Sequence, residues 1–135
     1  MSPFAALTWL ASGSALACAS GECDPRVRVG SLDVCVDLAT TAAERLQGLR
    51  GHAPLGPGEG LLMRFPVEGE VCLVNDGVSF DVDAVLFDGE RRVTHIVRLE
   101  ADDGAAQCAG PAIHVLEVAG GAASGLIPGT LGALP

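Results

Sequence analysis

The 135-residue chain carries 8 basic and 17 acidic residues, a formal net charge of −9 at pH 7. This charge argues against nucleic-acid binding, because a phosphate backbone is bound by clustered lysine and arginine. Hydrophobic residues make up 49% of the chain and aromatic residues only 4%. The composition therefore predicts one folded domain whose core consists of small aliphatic side chains.

The amino terminus has the pattern of an export signal. Residues Phe4 to Ala17 are apolar or small and uncharged, and the run is too short for a transmembrane helix. It ends in Ala15-Leu16-Ala17, the small-x-small pattern of a signal-peptidase site, although no basic residue precedes it. We expect residues 1–17 to be a signal segment, and a buried amino-terminal segment is the alternative.

The segment that follows the signal is interpreted as a linker over residues 18–26 and a single β domain over residues 27–135. Cys18 follows the Ala-x-Ala directly, as the lipidated cysteine of a bacterial lipoprotein does. Such sites usually carry Leu where this chain has Ala15, so an ordinary cysteine behind a cleaved signal is the alternative. Contact with a membrane is expected only through that lipid anchor.

The other four of the five cysteines are expected to form disulfides, as is usual in an exported chain. These four are Cys23, Cys35, Cys72 and Cys108. They can be joined into two disulfides in three ways. None has CxxC spacing or a neighbouring histidine, so no metal site is predicted. The chain also lacks GxSxG, P-loop, GxGxxG and HExxH patterns, and no cofactor is predicted.

Alternating and capped segments predict a mainly β fold with one helix. Leu32, Val34, Val36 and Leu38 alternate with polar residues, which indicates an antiparallel strand with one wet face. Thr41 to Glu44 has the form of a capping box, and we expect the one substantial helix at Thr41 to Leu49. A glycine- and proline-rich loop follows, from Gly51 to Gly60.

The stretch Gly60 to Asp88 contains three apolar, strand-like runs separated by turn-forming residues. Asp88-Gly89 predicts a hairpin turn into a return strand at Arg91 to Leu99. Further strands are expected at Ala112 to Val118 and at Gly129 to Leu134. Together these elements predict a compact antiparallel β-sandwich or barrel-like domain.

Glu117 is an ionisable residue in an apolar strand. Glu117 shares one face with Ile113 and Val115, and His114 lies on the other, so either buried face carries an ionisable group. A structural interpretation pairs Glu117 with Arg45 or Arg64, or places it at a solvated strand end. A functional interpretation makes it a ligand contact or a general acid.

Asp81 and Asn75 complete the candidate polar site. Asp81 with Glu117 would form a carboxylate pair of the kind that performs acid–base chemistry on sugars. The simpler interpretation is that Asn75 and Asp81 cap turns at the end of a strand.

Several segments, in order, resemble the signatures of the domain of unknown function 192 (DUF192) family. ERLQGL at Glu44 to Leu49 resembles its ER..GL, GLLM at Gly60 to Met63 its GMLF, and HVLEVAGG at His114 to Gly121 its YVLELNAG. Asn75 and Asp81 fall at its MKNT and PLD segments. The resemblance implies a mainly antiparallel β fold, often exported or lipid-anchored, without an assigned activity or cofactor.

One departure from the family pattern concerns its FWMKN segment, which here reads Val71 to Asn75 without the aromatic pair, methionine and lysine. Family members often carry a cysteine at the position of Cys108, and Cys72 replaces an aromatic residue. The resemblance therefore suggests a disulfide between Cys72 and Cys108.

The sequence as a whole favours an exported or envelope-associated, non-catalytic module that binds a small ligand or an envelope protein. The alternative is a small enzyme that uses Asp81 and Glu117, and a structural assembly protein is a third possibility.

Overall fold

A computed structural model describes residues 23–135 of the protein. The expected signal segment at residues 1–17 and the candidate lipidation site Cys18 lie outside the described residues. Within the described part, the elements are β1 (Arg26–Val29), β2 (Leu32–Ala39), α1 (Ala42–Gln47), β3 (Glu59–Leu73), β4 (Val82–Phe87), β5 (Val93–Leu99), β6 (Gln107–Ala119) and β7 (Gly132–Ala133).

The strands form one sheet in the order β5-β4-β6-β3-β2-β1-β7, and the sheet curls into a half-barrel. The mainly β prediction is confirmed, and the barrel-like alternative describes the fold better than a sandwich of two sheets. Neighbouring strands are antiparallel except β2 and β3, which run parallel. The sheet is therefore antiparallel, as predicted, except at this pair.

The parallel pair explains why the chain contains α1. Parallel neighbours need a crossover of about a dozen residues or more, whereas antiparallel neighbours need only a tight turn. Residues 40–58 supply this crossover, and α1 is its first part. The crossover covers one face of the sheet, where Leu49 is buried and Leu55 packs against the core.

The expectation of a substantial helix was wrong, because α1 spans only Ala42–Gln47 and has no buried residue. The capping box predicted at the amino terminus of the helix is present. Thr41 Oγ1 accepts a hydrogen bond from the Glu44 amide at 3.1 Å, and Glu44 Oε1 accepts one from the Thr41 amide at 3.2 Å. Gly48 ends the helix at a φ of 52°, a conformation that costs glycine little. A good cap thus starts a helix whose length is set by the crossover.

Replacing Thr41 with alanine is expected to lower the free energy of unfolding by about 1 kcal/mol, since the Glu44 amide loses its acceptor. Thr41→Ser keeps the hydroxyl and serves as the control in urea denaturation. Equal losses in the two variants would show that the methyl group, not the cap, carries the effect.

The sheet is buried on both faces. One apolar cluster joins β1 and β2 to β4, β5 and β6, with Val27, Val34, Phe87 and Leu116 among its members. Because β1 and β4 are far apart in the sheet order, the sheet has to curl to bring these side chains together. The second cluster lies on the other face, beneath the crossover, and includes Leu49, Met63, Leu86 and Val115.

The stretch Gly60 to Asp88 contains two strands, β3 and β4, where the sequence suggested three. The first two apolar runs belong to the single strand β3, whose pairing with β6 shifts register between Arg64 and Gly69 and again between Gly69 and Val71. Such irregularities bend a strand without ending it. The hairpin prediction at Asp88 is confirmed: Asp88 Oδ1 accepts hydrogen bonds from the amides of Glu90 and Arg92.

The carboxy-terminal segment joins the two sides of the half-barrel. Ala133 pairs with Arg28 of β1, and Leu131 bridges to Arg92 beside β5. The expected final strand is thus present but only two residues long. Gly132 lies against the ring of Phe87, and an added Cβ would stand 2.7 Å from its Cε2. A larger residue at this position would push the closing segment away from the core.

Candidate functional site

A cavity of about 290 Å³ lies between the crossover and the face of the sheet that it covers. Its walls are largely apolar and come from the crossover, β3 and the segment after β3: Leu49, Met63, Phe65, Leu73 and Val78. Leu46 and Val74 also line the cavity, and 73% and 41% of their surfaces are exposed. These two residues therefore mark the apolar rim of its mouth.

Glu117 lines the cavity from the sheet side. β6 lies between β3 and β4, and Glu117 pairs with Leu61 on one side and Ala84 on the other. Only 5% of Glu117 is exposed. Its carboxyl group makes no hydrogen bond or ion pair with the described residues. The buried carboxyl group is thus unpartnered and borders an open space.

Burial raises the pKa of Glu117 to about 7, because the interior disfavours the charged form of a carboxyl group. Burial is the single cause, so no neighbouring cation offsets it. A carboxyl group with such a pKa changes its protonation state around neutral pH. It can donate or accept a hydrogen bond according to what enters the cavity.

The expected pairing of Glu117 with Arg45 or Arg64 is absent from the described residues. Arg45 Nη1 donates to the carbonyl oxygens of Thr40 and Arg64 at 2.7 and 2.9 Å. The Arg64 side chain donates to His114 Nε2 at 3.1 Å and to the Pro135 carbonyl oxygen at 2.7 Å. Both guanidinium groups are therefore held by other partners.

Arg45 and Arg50 bring positive charge to the cavity. Both line it, and Arg50 donates to the carbonyl oxygens of Asp76 and Leu46, each at 2.8 Å. Arg45 also stacks over Phe65 at 5.0 Å from the ring centre. Since their hydrogen-bond acceptors are uncharged and neither pairs with a carboxylate of the described residues, their charges stay unneutralised.

Asn75 fixes the loop between β3 and β4 and also lines the cavity. Its Nδ2 donates to the carbonyl oxygens of Phe80 and Glu100, both at 3.0 Å, and lies 3.5 Å from that of Leu99. Both hydrogens of the side-chain amide nitrogen are thus engaged in hydrogen bonds. Its Oδ1 accepts no hydrogen bond from the described residues and is the polar group that Asn75 has left.

Asp81 does not line the cavity. Its Oδ1 accepts a hydrogen bond from the Ala101 amide at 2.9 Å, which fits the turn-capping interpretation. Glu117 pairs with Ala84, three residues beyond Asp81, or about 10 Å along an extended strand. The structure therefore brings Asn75 and Glu117 to one cavity and leaves Asp81 at the end of the sheet.

Asp83 has a structural role that its sequence context did not reveal. Only 3% of the residue is exposed. Its Oδ1 accepts from Arg98 Nε at 2.6 Å, and its Oδ2 accepts from the amides of Gly121 and Ala123 at 2.8 and 3.1 Å. Asp83 thereby holds the turn after β6 against the sheet.

Cys72 and Cys108 face each other across β3 and β6 and are joined by a disulfide, the pair that the family resemblance suggested. A second disulfide joins Cys23 to Cys35. Glu70 has its carboxylate within 4.8 Å of both sulfurs of the first pair. Sulfurs in a disulfide are not thiolate ligands, so this group is not a metal site in the oxidised protein.

Arg50 was the contributor to the cavity that sequence reasoning missed, and Arg45 was considered only as a partner for Glu117. The two arginines are five residues apart, which would not place them on one face of a continuous helix. They converge because α1 ends before Arg50. The one available signal was the pair of glycines, Gly48 and Gly51, that marks this early end.

Two solved structures share this fold. A crystal structure of a protein of unknown function from Novosphingobium aromaticivorans is 28% identical, with a TM-score of 0.75, and covers 80% of this chain and 83% of its own. One from Sinorhizobium meliloti, named as a candidate transcription regulator, is 23% identical, with a TM-score of 0.76, and covers 81% of this chain and 92% of its own. The second shows likeness of fold alone.

The sequence matches no protein of curated function. Residues 26–130 match the model of the DUF192 family, which is described as "Uncharacterized ACR". That match covers every strand from β1 to β6 and all the residues of the cavity. The chain therefore belongs to the DUF192 family.

Proposed function

We propose that the protein is an exported, non-catalytic module that binds a small ligand in the cavity beside Glu117. The observation that carries this proposal is the unpartnered, buried carboxyl group of Glu117 in a cavity with largely apolar walls. An unsatisfied buried polar group lowers stability, typically by about 1–3 kcal/mol. A ligand that supplies a hydrogen-bond donor would remove this penalty.

The enzyme alternative has less support. Acid–base chemistry of the glycosidase type needs two carboxyl groups on either side of one substrate, and Asp81 is engaged with Ala101 away from the cavity. Glu117 is the one carboxyl group that lines the cavity. A single acid, without a second carboxyl group across the cavity, is better suited to binding than to bond cleavage of this type.

Ligand binding is tested with a fragment library screened by nuclear magnetic resonance on the oxidised protein. We expect hits to shift the amides around Glu117, Asn75 and Arg50, and to bind more weakly to Glu117→Gln. Glu70→Gln, which changes an exposed glutamate on β3, is the matched control. Hits that cluster elsewhere, or that bind both variants equally, would contradict the proposal.

Export is supported by the two disulfides, since such bonds persist in oxidising compartments. No helix in residues 23–135 is long and apolar enough to cross a membrane. We expect the mature protein from a cell envelope or medium fraction to begin at or near Cys18 on amino-terminal sequencing, with Cys72 and Cys108 resistant to alkylation. An intact Met1 in a cytosolic fraction would refute export.

A further inference from the structure

The cavity contains two opposite charges that do not neutralise each other. On the sheet side, the Glu117 carboxyl group has no partner among the described residues, and burial alone accounts for its shifted pKa. On the crossover side, Arg45 and Arg50 are held by backbone carbonyl oxygens. Neither arginine forms an ion pair with Glu117 among the described residues, so the positive and negative groups are separate.

The hydrogen-bonding capacity also differs between the two ends. Next to the sheet, the free group is the Glu117 carboxyl group, whose ionised form only accepts hydrogen bonds. The guanidinium groups on the crossover side are donors only. The cavity therefore suits a ligand with a hydrogen-bond donor at one end and a hydrogen-bond acceptor at the other.

The space between the two ends is apolar and small. Met63, Leu73 and Val78 line it, and a volume of about 290 Å³ is at the lower limit of small-molecule sites, roughly 300–1,000 Å³. A short aliphatic chain fits these walls, and a sugar or nucleotide would leave its many hydroxyl groups unpaired.

We infer that the ligand is a small linear zwitterion, with a primary ammonium group against Glu117, an aliphatic middle, and a carboxylate or similar anion facing Arg45 and Arg50. This inference rests on the proposed function, since it names the class of ligand that the same cavity binds. Each end of such a ligand neutralises a charge that the protein leaves uncompensated. A single-ended amine or acid would neutralise only one of them.

Isothermal titration of the oxidised protein with four six-carbon probes tests the inference. The probes are aminohexanoic acid, hexylamine, hexanoic acid and hexanol, and shorter and longer linear amino acids follow to find the best length. We expect the best amino acid to bind about tenfold or more tightly than the single-ended probes of its length, since hydrogen bonds to charged groups are the stronger ones.

Variants assign the two ends. In Glu117→Gln, the amino acid is expected to bind no more tightly than the carboxylic acid. In Arg50→Gln, its advantage over the alkylamine should shrink, because Arg45 alone then faces the anion. Arg28→Gln, which removes an exposed arginine on β1, should leave all affinities unchanged.

The pH dependence gives a readout that a merely structural change would not reproduce. Binding of the ammonium probes should strengthen as the pH rises through the pKa of Glu117, about 7, because the carboxylate form is the one bound. The other titratable side chains that line the cavity are Arg45 and Arg50, and the residues opposite Glu117 are Leu61 and Ala84. The same probes should show a flat profile with Glu117→Gln.

Hexanol or hexanoic acid binding as tightly as every amino acid would overturn the zwitterion while leaving ligand binding at Glu117 intact. The zwitterion is likewise overturned if no probe of any length binds but the fragment screen finds a neutral ligand. Failure of both the probes and the screen would overturn the inference together with the proposed function.

Discussion

Replacing Glu117 with glutamine is expected to stabilise the ligand-free protein at alkaline pH and to change little at acidic pH. The folded-state pKa of about 7 lies above the ordinary value of 4.5, and one pKa unit corresponds to about 1.4 kcal/mol. The expected gain above the folded-state pKa is therefore about 3 kcal/mol. Glutamine keeps the shape of the side chain and removes the ionisation.

The direction follows from proton binding in the two states. As the pH rises from 4.5 towards 7, the unfolded chain releases the Glu117 proton and the folded protein retains it. The unfolded state is therefore favoured progressively, and the stability of the wild type falls through this window. Below it, both states are protonated and the penalty is absent.

Urea denaturation at a series of pH values measures this effect. Asp37 contributes a pH dependence of the same sign, since burial and the nearby charge of Glu59 raise its pKa to about 8. That contribution is present in both proteins and cancels in the difference between them. The control Glu70→Gln should follow the wild type at every pH, and a Glu117→Gln curve parallel to the wild type would disprove the burial of an unpaired acid.

Replacing Asp83 with alanine is expected to cost about 3 kcal/mol of unfolding free energy. The variant leaves the buried amide of Ala123 and the partly buried amide of Gly121 without their acceptor, and a buried unsatisfied group costs about 1–3 kcal/mol. Loss of the ion pair adds little, because the side chain of Arg98 is 47% exposed and can return to water.

Asp33→Ala is the matched control for this change. Asp33 also accepts from an arginine Nε at 2.6 Å, that of Arg26, but its side chain is 46% exposed. Surface pairs of this kind contribute about 0–1 kcal/mol. Equal losses in the two variants would mean that the ion pair, and not the hydrogen bonds to the two amides, accounts for the role of Asp83. Asp83→Asn, which keeps an acceptor oxygen, should fall between them.

Sequence patterns predicted the structure correctly where all the interacting residues lie close together in the sequence. The cap at Thr41 and the turn at Asp88 depend on residues within four positions of one another, so the sequence displays all the partners. The alternation that predicted β2 holds from Leu32 to Val36 and then breaks, with Leu38 exposed and Ala39 buried. The break lies where the crossover begins to cover the opposite face.

Features that depend on partners distant in sequence were harder to predict. Nothing near β2 indicates that its neighbour β3 runs parallel, and this pairing creates the crossover and hence the cavity. Glu117 was recognisable as an anomaly in an apolar strand, because either face would bury an ionisable group. That it has no cation beside it depends on where Arg45 and Arg64 are held, and those contacts are with backbone carbonyl oxygens that no sequence pattern marks.

The pairing of Ala133 with Arg28 has a consequence for how the protein is made. Strand β1 emerges from the ribosome long before Gly132 and Ala133, the residues that cover its outer edge. Until then, the β1–β2 hairpin presents unpaired amide and carbonyl groups, the kind of edge that recruits strands from other chains. Growing or partly folded chains should therefore be the form most prone to aggregate, and a chaperone that shields this edge would protect the protein until Gly132 and Ala133 pair with β1.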